Sequence, residues 1–457
     1  MSNESTAMSN EPSTSVPPGK GKRRLSLMLK LMGGLLLSLV VLHTILVVVS
    51  GRSLRQTKAV LRRDGYPMTA AEVIPQMPAD GQNAAGDLRK IFDLIKLGGT
   101  RLELYDKVAT LYDEPYDKPF SPEQLEELKA AFSTPDFPRV FELVEEAVKK
   151  PECVFDIDYE QGAAAMLPHL SQLRNLCRII AIRAKCEAQL GNRDEAIRFL
   201  QYGMIIGSMP ETEPFVISQL VRLSNGSVAM KSLQLLSKDI EFSDNEVNEF
   251  KRLLSPYESV MPMKRSIEGE YLLFGPWLFE HTGLVEEISA SLDSAVERQL
   301  LRFYNTYPLR PLFNADYATY LEVMKYHMDE YDRPLISVLA SHRDERTDKL
   351  MKPYSIVTKC VTSILGGMSF RAHGSSARAA ITLIGVACNQ YKHKNSVYPE
   401  TLEHLGTLPV DPATEKPFVY KRTEKGFVLY SPFEGYSGKF ECTIDGKKKR
   451  LVGMEVE

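Results

Sequence analysis

The stretch LRNLCRIIAIRAKCEAQLGNRDEAIRFLQYGM, residues 173–204, indicates most clearly how this chain folds. Two runs of apolar residues recur at helical spacing on either side of Gly191, a residue that suits a helix C-terminus. Asn192 can cap the second helix, with Glu195 three residues later. We therefore predict an antiparallel pair of helices. The two apolar stripes are Leu173, Leu176, Cys177, Ile180, Ala184 and Ala188, and Ala196, Ile197, Leu200 and Met204.

This predicted hairpin resembles one unit of the tetratricopeptide repeat (TPR) family. It has small residues in the first helix, a Gly-Asn turn, and the sequence DEAI at residues 194–197. A repeat array needs at least three stacked copies, and we find no second clear copy. The alternative is a plain antiparallel helix pair inside an irregular helical domain, and both interpretations stay open at this point.

Further helix-start patterns occur in the predicted helical body, residues 83–374. Ser121 followed by Gln124, and Ser243 followed by Glu246, form capping boxes that predict a helix after each serine. Another predicted helix carries four tyrosines, which either line an aromatic groove or pack partly buried with the hydroxyl at the surface. These residues are Tyr317, Tyr320, Tyr326 and Tyr331.

The stretch LMGGLLLSLVVLHTILVVVSG, residues 31–51, has a different character. Leu31–Ser50 contains one ionisable side chain, His43, and as a helix it would be about 30 Å long, the thickness of a hydrocarbon core. We predict a transmembrane helix over residues 25–51, with the lipid bilayer as the partner of Leu31–Ser50. The main alternatives are a buried core helix and a cleaved signal peptide with a weak site at Val48-Val49-Ser50. On a lone helix, we interpret His43 as a tolerated polar residue rather than a proton relay.

The regions beside this span predict its topology. Residues 1–24 are rich in Ser, Asn, Pro and Lys and predict a disordered cytoplasmic tail. Basic residues are equally frequent on both sides, so their count does not decide the orientation. A long C-terminal part can be exported regardless of its charges, which favours a cytoplasmic N-terminus with the bulk of the chain outside. Residues 52–82 are predicted as a juxtamembrane helix and an extended tether on or before the folded part.

Composition limits the classes of function. The 457 residues carry a formal net charge of -3, which gives no basic field for a nucleic acid, so we predict no nucleic-acid binding. Six cysteines are present, without a C-x-x-C pair or zinc-site spacing. Cys177 and Cys186 fall on opposite faces of one predicted helix and cannot bridge to each other. We expect the cysteines to be buried small apolar side chains.

The C-terminal part, residues 375–457, shows another pattern. The amphipathic helix SSARAAITLIGVACNQYKHKN, residues 375–395, leads to short segments that predict strands, and the last of these form a hairpin turning at Asp445-Gly446. The predicted fold class is therefore mainly α. It comprises an N-terminal transmembrane helix, an irregular helical body with a TPR-like helix hairpin, and a small C-terminal α+β module with a long helix on antiparallel strands.

The C-terminal module carries a second resemblance, at Tyr398-Pro399, Asp411-Pro412, Pro417 and Tyr420. The order of helix, Tyr-Pro turn and Asp-Pro segment resembles the globular part of type II secretion major pseudopilins. It also looks like the C-terminal segment of uncharacterised single-pass membrane proteins of planctomycete-type bacteria. The resemblance implies the small α+β fold. The sequence departs from the pseudopilin pattern because the helical body separates the module from the membrane helix, the Asp-Pro to Pro gap is one residue longer, and Thr414 replaces a glycine.

No motif indicates a reaction. Glycine-rich phosphate loops, the H-E-x-x-H zinc motif and the G-x-S-x-G nucleophile motif are all absent. We interpret the cluster around His327 and Glu330 as a solvated charged face rather than a metal site, and the charge run at residues 341–349 as an exposed helix or loop. We therefore predict no catalytic, cofactor-binding or metal-binding residues.

Together these patterns predict a membrane-anchored cell-envelope protein, a non-enzymatic interaction or scaffold protein whose protein partners bind the helical body. One alternative is an envelope hydrolase without a recognisable motif, because active sites are assembled in space. Another is an accessory component of a secretion or pilus-like assembly, which the pseudopilin resemblance would imply.

Overall fold

The computed structural model describes residues 20–96, 100–112, 116–282, 299, 301–340, 343–362, 365–436, 440–444 and 447–456. Over these residues the chain is mainly helical, with short antiparallel strands near the C-terminus, so the predicted fold class is confirmed. Most of the predicted tail and the predicted turn at Asp445-Gly446 lie outside the described residues.

The first element is one long helix. α1 spans Lys20–Arg63 without a break, so the predicted transmembrane and juxtamembrane helices are parts of a single rod. At 1.5 Å per residue this rod is about 66 Å long. Gly65, with φ of 82°, turns the chain after the helix. The following segment lies on the folded body, where Val73 is buried.

The next helices share the largest hydrophobic core, to which buried side chains from nearly all of them contribute. Within this group α6, α7 and α8 pack on one another, and α2 packs on α5. The helices are α2 (Ala85–Lys96), α3 (Thr100–Thr110), α4 (Pro122–Phe132), α5 (Asp136–Val148), α6 (His169–Gln189), α7 (Arg193–Ser208), α8 (Val216–Leu236) and α9 (Asp244–Glu258).

The predicted hairpin is present as α6 and α7. Both apolar stripes are buried, apart from the half-buried Ala188, and Gly191 ends α6 with φ of 81° as predicted. Asn192 stands at the N-cap position of α7, but its side chain makes no capping bond. It donates instead to the carboxylate of Glu187 at 2.7 Å. The predicted side-chain cap is therefore wrong, because the Asn192 amide is hydrogen-bonded to the buried Glu187 carboxylate near the end of α6.

Both predicted capping boxes are confirmed. The N–H of Gln124 donates to the Ser121 hydroxyl at 3.2 Å, and the Gln124 side chain accepts from the N–H of Ser121 at 3.0 Å. The same reciprocal pair joins Ser243 and Glu246, at 3.3 and 2.7 Å. Local sequence thus sets where α4 and α9 begin.

A second core forms where the end of α1 meets the helices that follow α9. A π-helical turn at Glu270–Phe274 joins two of these helices, and a 3₁₀ turn at Tyr307–Leu309 leads into the longest of them. In chain order the helices after α9 are α10 (Met261–Gly269), α11 (Gly275–Glu280), α12 (Arg310–Asp329), α13 (Leu335–Ala340), α14 (Arg343–Leu350) and α15 (Ile356–Thr362). Of these, α13 buries Leu335 and Val338 in a third core, which lies beneath the C-terminal sheet.

The C-terminal module is a long helix on a small sheet, as predicted. α16 spans Met368–Asn395 and so begins before the predicted start at residue 375. An antiparallel sheet has the order β1-β2-β5, and β3 pairs with β4 as the predicted hairpin. The strands are β1 (Val419–Arg422), β2 (Phe427–Tyr430), β3 (Phe440–Ile444), β4 (Lys447–Leu451) and β5 (Gly453–Val456).

α16 is shared by all three hydrophobic cores. Ala379 and Val386 belong to the first core, Ala372 to the second, and Ile381 and Cys388 to the third core beneath the sheet. The sheet therefore packs on one side of a helix whose other side packs on α8 and α9. The boundary at residue 375 stays a prediction.

The side chains of five cysteines are described, and none of these five forms a disulfide. Cys153, Cys177, Cys186 and Cys388 are buried, and Cys360 is half-buried. The expectation of buried side chains is confirmed for the first four.

Candidate functional site

Between Leu31 and Val49, α1 presents a largely apolar surface. Leu31, Leu36 and Val41 are 65, 64 and 50% exposed. An 18-residue window of this helix has a mean hydropathy of 2.5, and none of it is buried inside the folded chain. A core helix would be covered by its own protein, so the structure rules out that alternative. The helix is long and apolar enough to cross a bilayer.

The C-terminal half of α1 lies against α12. Three polar contacts, each seven residues apart along α1, join it to the α12 region: His43 Nε2 to the Pro308 carbonyl at 3.1 Å, the Ser50 hydroxyl to the Asn314 amide at 3.3 Å, and the Thr57 hydroxyl to the Glu322 carboxylate at 3.5 Å. Partner numbers differ by 264 or 265 throughout, so the two helices run parallel and in step.

A regular stripe of side chains on α1 forms this contact with the body, which we call the seat. The side chains that are buried or half-buried alternate at spacings of four and three residues: His43, Val47, Ser50, Leu54, Thr57 and Leu61. Leu61 is completely buried. Such spacing is that of a heptad seam between two helices. The sequence does not reveal this seam, because the span is apolar on every face and polar residues appear beside the seam only from Arg52 onward.

Ion pairs and hydrogen bonds secure the end of α1. The hydroxyl of Tyr66 donates to the carboxylate of Asp329, and burial together with that carboxylate raises the pKa of Tyr66. Lys325 lies 2.9 Å from Asp329 and 3.6 Å from Asp64. The chain is thus fixed to the body just where the helix ends.

His43 is not on a lone helix. Besides its contact with Pro308, its ring lies 4.9 Å from the ring of Tyr307. The predicted isolation of this residue is wrong, because α12 and the turn before it stand beside α1. Its imidazole contacts the body at the height where the apolar segment first meets it.

An open groove of about 440 Å³ runs between α1 and the body. Its lining includes Lys58 of α1, Phe279 of α11 and Tyr317 of α12, and the Lys58 ammonium lies 5.1 Å from the Tyr317 ring centre. Tyr317 therefore lines an aromatic groove, which was one of the two alternatives for the four tyrosines. Tyr320 is fully buried and its hydroxyl donates to the Glu270 carbonyl at 2.9 Å, so the alternative of a hydroxyl at the surface is wrong for Tyr320.

A larger groove of about 750 Å³ lies where the α6–α7 turn meets the α8–α9 loop. We call it the hairpin groove, and its lining includes Arg193, Asp239, Glu241, Ile240 and Phe242. Arg193 donates to the Glu241 carbonyl at 2.9 Å. From the far side, the Gln390 amide accepts from the N–H of Phe242 at 2.8 Å and so holds the loop in place.

Two buried carboxylates have raised pKa values but structural partners. Burial raises the pKa of Asp316 to about 6, and its carboxylate accepts from the N–H of Val357 at 2.9 Å and from the Tyr304 hydroxyl at 2.8 Å. Burial raises the pKa of Glu270 to about 7, and its carboxylate accepts from the N–H of Val216 at 3.0 Å. Each carboxylate caps the start of a helix, α15 or α8.

A buried cluster of Cys153, His169 and Glu213 comes nearest to a catalytic arrangement. His169 Nε2 lies 2.8 Å from the Glu213 carboxylate, and its ring stacks on Phe155 at 4.1 Å. Burial, with the Glu213 carboxylate nearby, raises the pKa of the Cys153 thiol. A nucleophilic cysteine needs a lowered pKa and access to solvent, so this cluster is not set up for thiolate chemistry.

The cluster around His327 and Glu330 differs from the prediction. These side chains are 4% and 1% exposed, and His327 Nδ1 lies 3.8 Å from the Glu330 carboxylate. The predicted solvated face is wrong for both, because this side of α12 is covered by the body. Asp332 alone of this group is exposed, and it pairs with Lys264 at 2.5 Å. In the part of the chain that the structure describes, no group of His, Cys, Asp or Glu residues could hold a metal ion.

No protein-family model, curated protein or solved structure matches this chain. What the molecule can do therefore follows from its geometry: an exposed apolar rod, a seat that ties it to the body, and two open grooves.

Proposed function

We propose that this chain is a single-pass membrane protein of the cell envelope, with its N-terminus in the cytoplasm and its body outside, and that the body binds protein partners without performing a reaction. The observation that carries the proposal is the division of α1 into an exposed apolar half and a half seated on α12. An apolar rod of this length is far more stable in lipid than in water.

The seat favours a retained helix over a cleaved signal peptide. A cut after Ser50 would fall inside the unbroken α1 and would remove both the His43 contact with Pro308 and the Ser50 contact with Asn314. The orientation follows the basic tail: a short, strongly basic N-terminus is less readily exported than a long C-terminal body.

Two features support a binding role. The buried ionisable groups that most resemble catalytic residues are held by helix starts, ring stacking or buried pairs, whereas the hairpin groove is open to solvent. Its rim carries both Arg193 and the acidic residues Asp239 and Glu241, which suits a polar segment of a protein partner.

We also propose that the C-terminal module shares its fold with the globular part of major pseudopilins and of planctomycete-type membrane proteins. The residues that carry the resemblance make contacts inside the module. Tyr398 packs on Phe427, the Tyr420 hydroxyl donates to the Pro399 carbonyl at 2.7 Å, and Asp411 is fully buried. Between Ala372 and Gln390 no side chain of α16 is exposed, which favours a scaffold over a filament subunit.

Membrane fractionation tests the anchor. We expect the full chain to stay with membranes through an alkaline wash, and the double variant Leu35→Arg, Leu36→Arg to be released, because each arginine deep in the span costs about 3 kcal/mol. The matched control places the same two arginines at exposed apolar positions of the body, Met166 and Met261. Release of the unaltered chain by the wash would refute the anchor.

Two further experiments test the orientation and the binding role. Protease added to intact cells should digest the body, and digestion only after the cytoplasm is opened would reverse the orientation. A photocrosslinking residue at Glu241, in the hairpin groove, should capture a defined protein in membranes, while one at the exposed Glu127 should not. Equal labelling at both positions would remove the groove as the binding site.

A further inference from the structure

The contact between His43 and Pro308 fixes how far the body reaches along α1. His43 lies seven residues before Ser50, which is about 10 Å nearer to the N-terminal end of the rod. The turn Tyr307–Leu309 therefore stands level with a residue inside Leu31–Ser50, the segment predicted to span the membrane. A bilayer whose edge lay at Ser50 would have to cover this part of the body.

Apolar and aromatic side chains are exposed on the body around that turn. Phe303, Tyr307 and Leu312 are 57, 66 and 36% exposed, and we call these three side chains the lip. Tyrosine in particular is enriched where a membrane meets water, because its ring suits lipid and its hydroxyl suits water. The lip thus has the chemistry of a membrane interface and lies beside the helix that would enter it.

Charge near the lip fits the same surroundings. Arg302 and Arg310 are exposed on either side of Tyr307, and the sequence has no acidic residue from position 299 to 315. Basic side chains beside a membrane are drawn to anionic headgroups. An acidic edge here would be repelled by the same surface.

The hydrocarbon core of a bilayer can be positioned along α1 so that one of its edges lies level with the lip. Leu25–Leu42 is about 27 Å long as a helix, close to the thickness of a hydrocarbon core. Arg24 then stands at one edge and His43 at the other. Lys30 lies about one and a half turns, roughly 9 Å, inside the first edge, and its long side chain can snorkel toward the headgroups.

We propose that the lip is a second membrane contact, inserted in the interfacial layer of the bilayer on the side of the body, and that the hydrocarbon core covers Leu25–Leu42 rather than Leu31–Ser50. This rests on the proposed membrane anchorage by α1. The occupant of the lip is a phospholipid surface and not a protein, because the lip is continuous with the seated anchor through the Tyr307 ring and His43.

Tryptophan fluorescence in lipid vesicles tests the proposal. Trp277 is the only tryptophan, so a Trp277→Phe background gives a silent full-length chain. Single tryptophans are then placed at Tyr307 and Phe303 in the lip, at Leu35 near the middle of the span, and at Met166, which is 82% exposed on the body. Each protein is reconstituted in phosphatidylcholine–phosphatidylglycerol vesicles that carry bromine near the headgroup end or deep in the acyl chain. Circular dichroism confirms the fold of each variant.

We expect Tyr307→Trp and Phe303→Trp to be quenched several-fold more by shallow bromine than Met166→Trp, and Leu35→Trp, near the middle of Leu25–Leu42, to be quenched most by deep bromine. Quenching of Leu35→Trp without quenching at either lip position would overturn the lip and leave the anchor standing. Absence of quenching at Leu35 would overturn the anchor itself. A blue-shifted lip tryptophan that brominated lipid does not quench would place a protein on the lip, by self-association or by a bound partner, and would refute the proposal.

Discussion

Gly226 on α8 lies directly against the ring of Tyr257 on α9. A β-carbon at position 226 would stand 2.2 Å from the ring carbon Cε1, far inside contact distance. The ring has little freedom to retreat, because Tyr257 is fully buried and its hydroxyl donates to the Met204 carbonyl at 3.0 Å. This close approach connects α8 and α9 through α7, at the centre of the largest core.

The variant Gly226→Ala should therefore lose about 3 kcal/mol or more of the free energy of unfolding, because overpacking forces the ring or the helix to move. Gly203→Ala is the matched control in α7, where the new methyl group would meet Ile180 at an ordinary 3.5 Å. There we expect a gain of about 0.5–1 kcal/mol from helix propensity. Urea denaturation of both variants measures the contrast, and equal effects would contradict this packing.

The seat of α1 can be tested at one side chain. Leu61 is completely buried between α1 and the body, so Leu61→Ala should cost about 2–5 kcal/mol through lost burial and the cavity that remains. Val60, the next residue, is 38% exposed, and Val60→Ala should change stability little. Denaturation in detergent micelles, followed by circular dichroism, gives both values. A Leu61→Ala variant as stable as the unaltered chain would mean that α1 does not dock as described.

Asp316 predicts a specific pH dependence. Burial raises its pKa to about 6 in the folded chain, against an ordinary value of 3.8, so between these values the folded state holds a proton that the unfolded state has lost. Its contribution to stability therefore falls as pH rises from about 4 to about 6, by about 3 kcal/mol for a shift of two units. Glu270 titrates in the same direction, so only the difference between two proteins isolates Asp316.

In Asp316→Asn this part of the slope should vanish, although the variant is less stable overall because an amide cannot accept from both the N–H of Val357 and the Tyr304 hydroxyl in the same way. Urea midpoints between pH 4 and pH 7 measure both curves. Parallel curves over this range would exclude the assigned pKa.

Asp411 should hold the C-terminal module together. Its carboxylate accepts from the N–H groups of Ala413 and Thr414, at 3.0 and 2.9 Å, and from the Ser431 hydroxyl at 2.7 Å. Asp411→Ala leaves buried donors without a partner and should cost about 2–4 kcal/mol. Ser431→Ala removes the hydroxyl that donates to Asp411 and accepts from the N–H of Phe433 at 3.0 Å, and should cost about 1–2 kcal/mol. Hydrogen exchange of the β1 and β2 amides reports the loss locally, and unchanged protection in Asp411→Ala would refute this role.

Local patterns in the sequence predicted the elements that depend on neighbours along the chain. The capping boxes at Ser121 and Ser243 and the Gly191 turn follow from a few adjacent residues, and the structure confirms them. The predicted cap by Asn192 was wrong because its side chain bonds to Glu187 instead, and local sequence patterns do not show which of these two bonds is preferred.

Long-range placement was the part that the sequence could not supply. His327 and Glu330 have the composition of a solvated face, yet both are buried, because what covers them comes from distant elements. The seat of α1 on α12 joins residues more than 260 positions apart, and neither segment has a sequence feature that indicates the other as its partner. The grooves arise in the same way, from loops that meet only after folding.

The unbroken course of α1 gives the molecule a mechanical property. A body on a flexible linker samples many orientations above a membrane. This body instead packs against the same continuous helix, α1, that would pass through the lipid. Tilting the rod would swing the whole body as a lever. The hairpin groove would then open in a fixed direction with respect to the membrane plane.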